Sequence, residues 1–199
     1  MKNSFFDVVE NRRSIYKIGK NSKVPFFKIE KVLEKAILHT PSAFNSQSGR
    51  VVLLMNEHSS LFWKMVKESL ELIVPKEAFE ETEKKIKAFD SGIGTVLFFE
   101  DQTVVSGLMK DFELYKDHFP LWSLQSNGML QFVVWSGLES LGLGASLQHY
   151  NPLIDLQVSK EWSIPISWKL LAQMPFGSIE SPPDEKTFSS LEKRFFKYI

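Results

Sequence analysis

Thr40-Pro41-Ser42-Ala43-Phe44-Asn45-Ser46-Gln47-Ser48 is the stretch on which the reading of this chain turns. It places a proline, several hydroxyls and two amides between a helical pattern and an apolar strand. Such groups donate and accept several hydrogen bonds, which suits a flat heterocycle rich in carbonyls and ring nitrogens. They equally suit an ordinary loop, because serine and asparagine form turns by bonding their own backbone. Upstream, Ile29, Val32, Leu33, Ala36 and Ile37 follow the i, i+3, i+4, i+7, i+8 spacing of an amphipathic helix, and Pro41 stops it shortly after His39. Downstream, Val51-Val52-Leu53-Leu54-Met55 is β-rich and almost wholly apolar, and is expected to be a strand buried on both faces.

The pattern continues outward in both directions. Phe5, Phe6, Val8 and Val9 suggest a short first helix capped by Asn3 or Ser4 and ending near Arg12-Arg13. Leu61, Phe62, Met65, Val66, Leu70 and Ile73 mark another helix, and Pro75 fits the first turn of the next. There Glu80, Glu81 and Glu83 each precede a lysine by four residues, the spacing of a solvated, ion-paired face. Gly94 to Phe99 is expected to be a second buried strand, and Val104 to Tyr115 a helix. Gln125-Ser126-Asn127-Gly128 is expected to cap an apolar helix running from Met129 to Leu141, with Gly142 after its end. Leu143 to Leu147 follows as a short strand. Trp168 to Met174 is the last strand, broken by Pro175 and Gly177, and a polar tail ends in Lys193-Arg194-Phe195-Phe196-Lys197-Tyr198-Ile199. Helices outnumber strands and do not alternate regularly with them. The expectation is a single α+β domain over residues 1–199, a central antiparallel-rich sheet flanked by helices rather than a doubly wound nucleotide fold.

Composition narrows the chemistry. The chain has 199 residues, 43% of them hydrophobic, enough for one sizeable core. Seventeen phenylalanines and five tryptophans give more apolar surface than one copy readily covers, a hint of self-association. Lysine plus arginine equals aspartate plus glutamate at 24 each, so no basic field draws the chain to nucleic acid or to an anionic membrane. There is no cysteine, which excludes disulfides, thiolate catalysis and Cys-ligated zinc or iron–sulfur clusters. His39, His58, His118 and His149 are not spaced as a metal pair, so no metal site is expected. The N-terminus has no signal-peptide pattern and the apolar runs are strand-sized, so a soluble cytoplasmic protein is expected.

Three further segments could carry chemistry. Arg12-Arg13-Ser14 offers two permanent charges and a hydroxyl, suited to a phosphate, or two surface arginines at a helix end. Gly142-Leu143-Gly144-Ala145-Ser146 lacks the G-x-G-x-x-G pattern of a dinucleotide cradle. Its small residues either let a planar ligand approach the backbone or pack a helix on a strand. Gln125 and Ser126 either cap their helix or also touch a ligand.

In order and spacing these segments resemble the nitroreductase family. Arg12-Arg13-Ser14 is followed by Pro41 to Gln47, then by Gly144-Ala145-Ser146 after the long core helix, and by a basic C-terminal end. Gly94 to Asp101, Leu147-Gln148-His149-Tyr150-Asn151-Pro152 and Gln173-Met174-Pro175-Phe176-Gly177 resemble the subgroup containing copper-induced and fatty-acid-regulation nitroreductases. The resemblance spans essentially the whole chain. It implies an intertwined homodimer that binds FMN between subunits. It implies that Arg12, Arg13, Ser14 and a C-terminal basic residue, Arg194, hold the FMN phosphate and ribityl chain. Ser42, Asn45 and Gln47 would reach the isoalloxazine from the partner. Gln125 and Ser126 would lie near the cofactor, and Gly144, Ala145 and Ser146 would line the ring, with a backbone N–H from this stretch or from Leu147-Gln148 near the reactive nitrogen. The implied reaction passes a hydride from NADH or NADPH through FMN to a nitroaromatic or quinone in ping-pong fashion, with no catalytic side chain. The alternative is a flavin-binding regulatory or stress-response protein with little turnover. Tyr16 stands where many members carry a basic residue, and Ser48-Gly49 replaces a Pro-Trp pair of several relatives.

Overall fold

The computed structural model describes residues 4–199. Ser4 caps the first helix, α1 (Phe5–Asn11), with its hydroxyl accepting from Asp7 N–H while the Asp7 carboxylate accepts from Ser4 N–H, a reciprocal capping box. Asn3, the other candidate cap, lies outside the described residues. β1 (Ile18–Gly19) is followed by α2 (Phe26–His39), which buries Ile29, Leu33 and Ala36 as its periodicity requires and stops at Thr40, held extended before Pro41. β2 (Gly49–Met55), α3 (Glu57–Glu71), α4 (Lys76–Asp90), β3 (Gly94–Asp101) and α5 (Gln102–Asp111) come next. The long α6 (Phe119–Ser140), β4 (Gly144–Ala145), α7 (Asp155–Glu161) and β5 (Trp168–Ile179) complete the order.

Every strand pairing is antiparallel, which agrees with the expected α+β class. Phe176 of β5 pairs with Gly94 on one side and Ala145 on the other, so β3 and β4 flank β5. β2 pairs with the far side of β3. Ser14 then forms a parallel bridge to Ala145, and Ile15 N–H donates to Ala145 O at 2.9 Å. The N-terminal segment therefore runs along the outer edge of β4, and the Ser42 loop leads into the strand at the opposite edge. Three inter-strand steps separate β4 from β2, about 14 Å.

Two apolar layers cover the sheet. Val96, Phe98, Ala172, Met174 and Phe176 pack under α2 and α6. Leu97, Phe99 and Leu170 pack under α3, α4 and α7 with Phe62, Trp63 and Phe89. The alternation along β3 and β5 sends successive side chains to opposite layers, so both strands read as continuous apolar runs. Inside the second layer Thr95 Oγ1 meets both the Ser59 hydroxyl at 2.7 Å and Trp63 Nε1–H at 2.9 Å, which satisfies the buried indole.

The structure corrects several sequence expectations. β2 is not buried on both faces: it is an edge strand, and only Leu54 is fully buried in this chain. Pro75 stands just before α4, at its N-cap, rather than inside its first turn. The Glu–Lys face of α4 forms with Glu80–Lys84 at 2.8 Å and Glu83–Lys87 at 3.3 Å, but Glu81 bonds Lys84. Gln125 to Gly128 do not cap a helix. α6 begins about two turns earlier, with Pro120 in its first turn, and those four residues lie in its interior. Pro175 and Gly177 do not break the last strand, because the proline's missing N–H would face only Ser146, the partner of Pro175 in the short β4 side of the ladder. Gly142 has φ +77° and ends α6 as expected, its N–H donating to Glu139 O at 2.7 Å.

Candidate functional site

The expected site residues fall into two groups at opposite edges of the sheet. The first is cationic. The parallel bridge from Ser14 to Ala145 brings Arg12, Arg13 and Ser14 against Gly144, Ala145 and Ser146. Arg12 lies with its guanidinium 4.4 Å from the centre of the Trp135 ring on α6, a cation–π contact, and its buried Nε–H has no partner among the described residues. Burial and the neighbouring Arg13 charge both lower the Arg12 pKa, while Glu139 raises it. Two adjacent guanidinium groups of this kind gain from a shared anion. Arg13 Nη2 donates to Asp184 O at 2.6 Å, which ties the C-terminal segment to the group. A cleft of about 270 Å³ lies between them, lined by Arg12, Arg13, Ser14, Tyr16, Asp184 and Lys186 among others.

Backbone donors complete this group. Ser146 N–H donates to Pro175 O at 3.3 Å, and Gln148 N–H to Gln173 O at 2.7 Å. Both therefore point at β5. Successive peptide groups of a strand alternate in direction, so Leu147 N–H points the other way, along the edge that Ala145 O offers to Ile15. It has no partner among the described residues. Of the backbone donors expected for a ring nitrogen, from Gly144 to Gln148, those of Ser146 and Gln148 are engaged, and that of Leu147 has no partner among the described residues.

The second group is neutral. Phe44 and Asn45, in a short 3-10 turn (Ala43–Asn45), and Gln47 just after it all adopt positive φ, at 55°, 51° and 49°. Three left-handed non-glycine residues within four positions mark a strained loop, which persists only where its surroundings dictate it. Ser42 Oγ accepts from Gln47 N–H at 2.9 Å, and Arg50 Nη1 donates to Gln47 O at 2.6 Å. Arg50 also bonds Asp101 at 3.0 Å, so this arginine is committed to holding the loop on the sheet. Phe44 anchors it from above against Phe112, Phe119 and Trp122. A cleft of about 320 Å³ opens beside the loop, lined by Ser42, Gln47, Ser126, Asn127, Leu130 and Thr40 among others. The buried Thr40 hydroxyl has no partner among the described residues.

Asn127 explains why this wall is rigid. Its Nδ2 donates to Phe99 O at 2.9 Å and to Glu100 Oε2 at 3.0 Å, and its Oδ1 accepts from Gln131 Nε2 at 2.9 Å. Glu100 is buried, and burial raises its pKa, with Ser48, Asn127 and Arg50 acting in the opposite direction.

The structure thus brings Arg12, Arg13, Ser14, Gly144, Ala145 and Ser146 together, and Ser42, Gln47 and Ser126 together. Asn45 and Gln125 are exposed near the second group. Arg194 joins neither group within one chain: it is exposed just after the turn Leu191–Lys193, and Lys186 is the tail's basic residue in the cationic cleft. Sequence reading had Leu147 among its possible backbone donors, but it passed over Lys186 and gave Thr40 and Asn127 no site role of their own. Only Asn127, an amide inside an apolar helix, left a signal that could have been read.

The model of the nitroreductase family matches residues 9–178. The nitroreductase FRM2 of Saccharomyces cerevisiae is 30% identical over 187 residues, covering 93% of each chain. Nitroreductase CinD from Lactococcus lactis, solved with nicotinic acid, superposes with a TM-score of 0.92 at 45% identity, covering 98% of this chain and 100% of that one. The same protein with 4-nitrophenol gives a TM-score of 0.90 at 44% identity over the same coverage.

Proposed function

Because the chain belongs to the nitroreductase family, and is with it a flavin oxidoreductase of the general kind, we propose that it binds FMN and uses NADH or NADPH to reduce nitroaromatic or quinone-type acceptors. The observation that carries this reading is the row of donors at the β4 edge: Leu147 N–H and buried Arg12 Nε–H, neither with a partner among the described residues, and the Arg13 and Ser14 side chains beside them. That donor set fits an electron-rich ring at one end and a phosphate at the other. When bound, FMN supplies two-electron chemistry, taking a hydride from the nicotinamide and giving one to the acceptor in alternation at one pocket, which makes the kinetics ping-pong.

The residues divide the work. Arg12, Arg13, Ser14 and Lys186 hold the phosphate and ribityl chain. Leu147 N–H donates to the ring, and Gly144, Ala145 and Ser146 give it close backbone approach. Ser42, Asn45 and Gln47 close over the ring from a second copy, with Gln125 and Ser126 beside them, and Arg194 reaches the phosphate from its exposed tail. The positions of the two groups at opposite sheet edges support a homodimer. It is supported by α6, which is apolar around most of its circumference yet leaves Leu121, Leu124, Phe132 and Val133 exposed in one chain. The ligands of the Lactococcus lactis relative, a pyridine carboxylic acid and a nitroaromatic, match donor and acceptor in chemical class. Among the described residues no helix is long and apolar enough to cross a membrane. A cytoplasmic location is part of the proposal.

The test is an absorption spectrum of the purified protein before and after anaerobic NADH or NADPH. Flavin bands that bleach within the mixing time support the oxidoreductase. Bands that persist with both donors point to a flavin-binding regulator, and no bands after incubation with FMN overturn the flavin reading.

A further inference from the structure

Gln173 is the one amide in the centre of β5 and is fully buried between Ala172 and Met174. An amide in such a place costs stability unless its hydrogen bonds are made. They are made to one segment. Its backbone N–H donates to Gln148 O at 2.9 Å, and its C=O accepts from Gln148 N–H at 2.7 Å. Its side-chain Oε1 accepts from Tyr150 N–H at 2.7 Å, and its Nε2 donates to Asn151 Oδ1 at 3.1 Å.

The register shows what the side chain does. Gly144 pairs with Gly177, Ala145 with Phe176, Ser146 with Pro175 and Gln148 with Gln173, each residue advancing on one strand as it retreats on the other. Continued, Tyr150 would bond Leu171. Instead the chain turns away, and the Gln173 side chain takes the Tyr150 N–H that the ladder no longer reaches. On one side of Leu147, Ser146 is tied to β5 by a single long bond, because Pro175 has no N–H to return, and its hydroxyl accepts from Gln148 Nε2 at 3.1 Å, which leans on Gln148 in turn. The firm anchor of Leu147 is therefore the Gln148–Gln173 pair and the turn locked behind it.

Building on the flavin reading above, we propose that Gln173 is a positioning residue for that site: by clamping Gln148, Tyr150 and Asn151 it aims Leu147 N–H at the cofactor ring without touching the ring itself. No proton or electron passes through it.

Gln173→Met keeps length and shape and removes both side-chain bonds. In the apoprotein, amide hydrogen exchange at Tyr150 should quicken at least ~10-fold while amides of β2 and β3 stay protected. In the FMN-loaded protein, reduction by NADH should slow ~10-fold at saturation with KM changed less than about twofold, the split expected when geometry rather than binding is lost. Asn151→Ala, which removes one bond from outside the core, should give the same pattern at smaller size, and it carries the test if Gln173→Met does not fold. Quicker exchange with an unchanged saturated rate would overturn the proposal and leave the flavin reading standing. A wild-type chain that binds no FMN would overturn both.

Discussion

The guanidinium of Arg12 lies 4.4 Å from the centre of the Trp135 ring, so the cationic group of residues is built onto the long core helix rather than onto a free loop. Arg12→Ala removes a charge that faces a cleft and leaves α1 and α6 their own contacts. FMN affinity should fall ~10- to 100-fold, the usual worth of a charge-assisted hydrogen bond, with the far-ultraviolet circular dichroism unchanged. An FMN fluorescence titration measures it, and an unaltered dissociation constant would remove Arg12 from the phosphate site.

Asn45 separates side-chain from backbone roles, since it adopts φ 51° and its side chain is exposed. Asn45→Gly keeps the left-handed backbone and removes only the amide. It should weaken FMN with little change in melting temperature, whereas Asn45→Ala should lower both. Equal FMN affinity in wild type and Asn45→Gly would make the loop purely structural.

Thr95→Val tests the core independently of any ligand. It strips the acceptor from Trp63 Nε1–H and the partner from Ser59 at nearly constant volume. Chemical denaturation should show a loss of about 1–3 kcal/mol, the cost of leaving a buried donor unpaired. FMN affinity should not change.

Glu100 gives a pH dependence. Burial holds its pKa above the usual carboxylate value, so the native state retains a proton that the unfolded chain has released. Stability is then greatest below the unfolded-state pKa and falls as pH rises toward the native-state value. Glu100→Gln cannot ionise, and its melting temperature should lack that decline. Melting curves from roughly pH 4 to 8 span the window. A variant that loses stability in parallel with wild type would contradict the assignment.

The legible parts of this fold were those set by local pattern. The spacing of Ile29, Leu33 and Ala36 and the stop at Pro41 mark α2, and Gly142 marks the end of α6. The errors arose where long-range pairing overrides local preference. β2 looked doubly buried because Val51 to Met55 are all apolar, whereas its place at the edge of the sheet, invisible locally, leaves most of them only partly covered. Pro175 looked like a breaker because strand order, invisible locally, decides whether its missing N–H matters. Gln125 to Gly128 looked like a cap because polar residues in an apolar run suggest an end, yet Asn127 is there to bond Phe99 O and Glu100. The site behaved likewise: Arg12 to Ser14 were readable as a cationic cluster, but the freedom of Leu147 N–H depends on the register of β4 against β5.

The central claim is that one binding site draws its cationic half from one chain and its amide half from another. Co-expression of an Arg12→Ala/Arg13→Ala chain with a Ser42→Ala/Asn45→Ala chain, each with its own affinity tag, tests it directly. Either homodimer has two damaged sites. The doubly purified heterodimer has one site with both lesions and one with none. The account predicts one FMN per heterodimer at wild-type affinity, with both homodimers colourless. A heterodimer as empty as its parents would mean that both halves act within a single chain, and the shared-site account would fail.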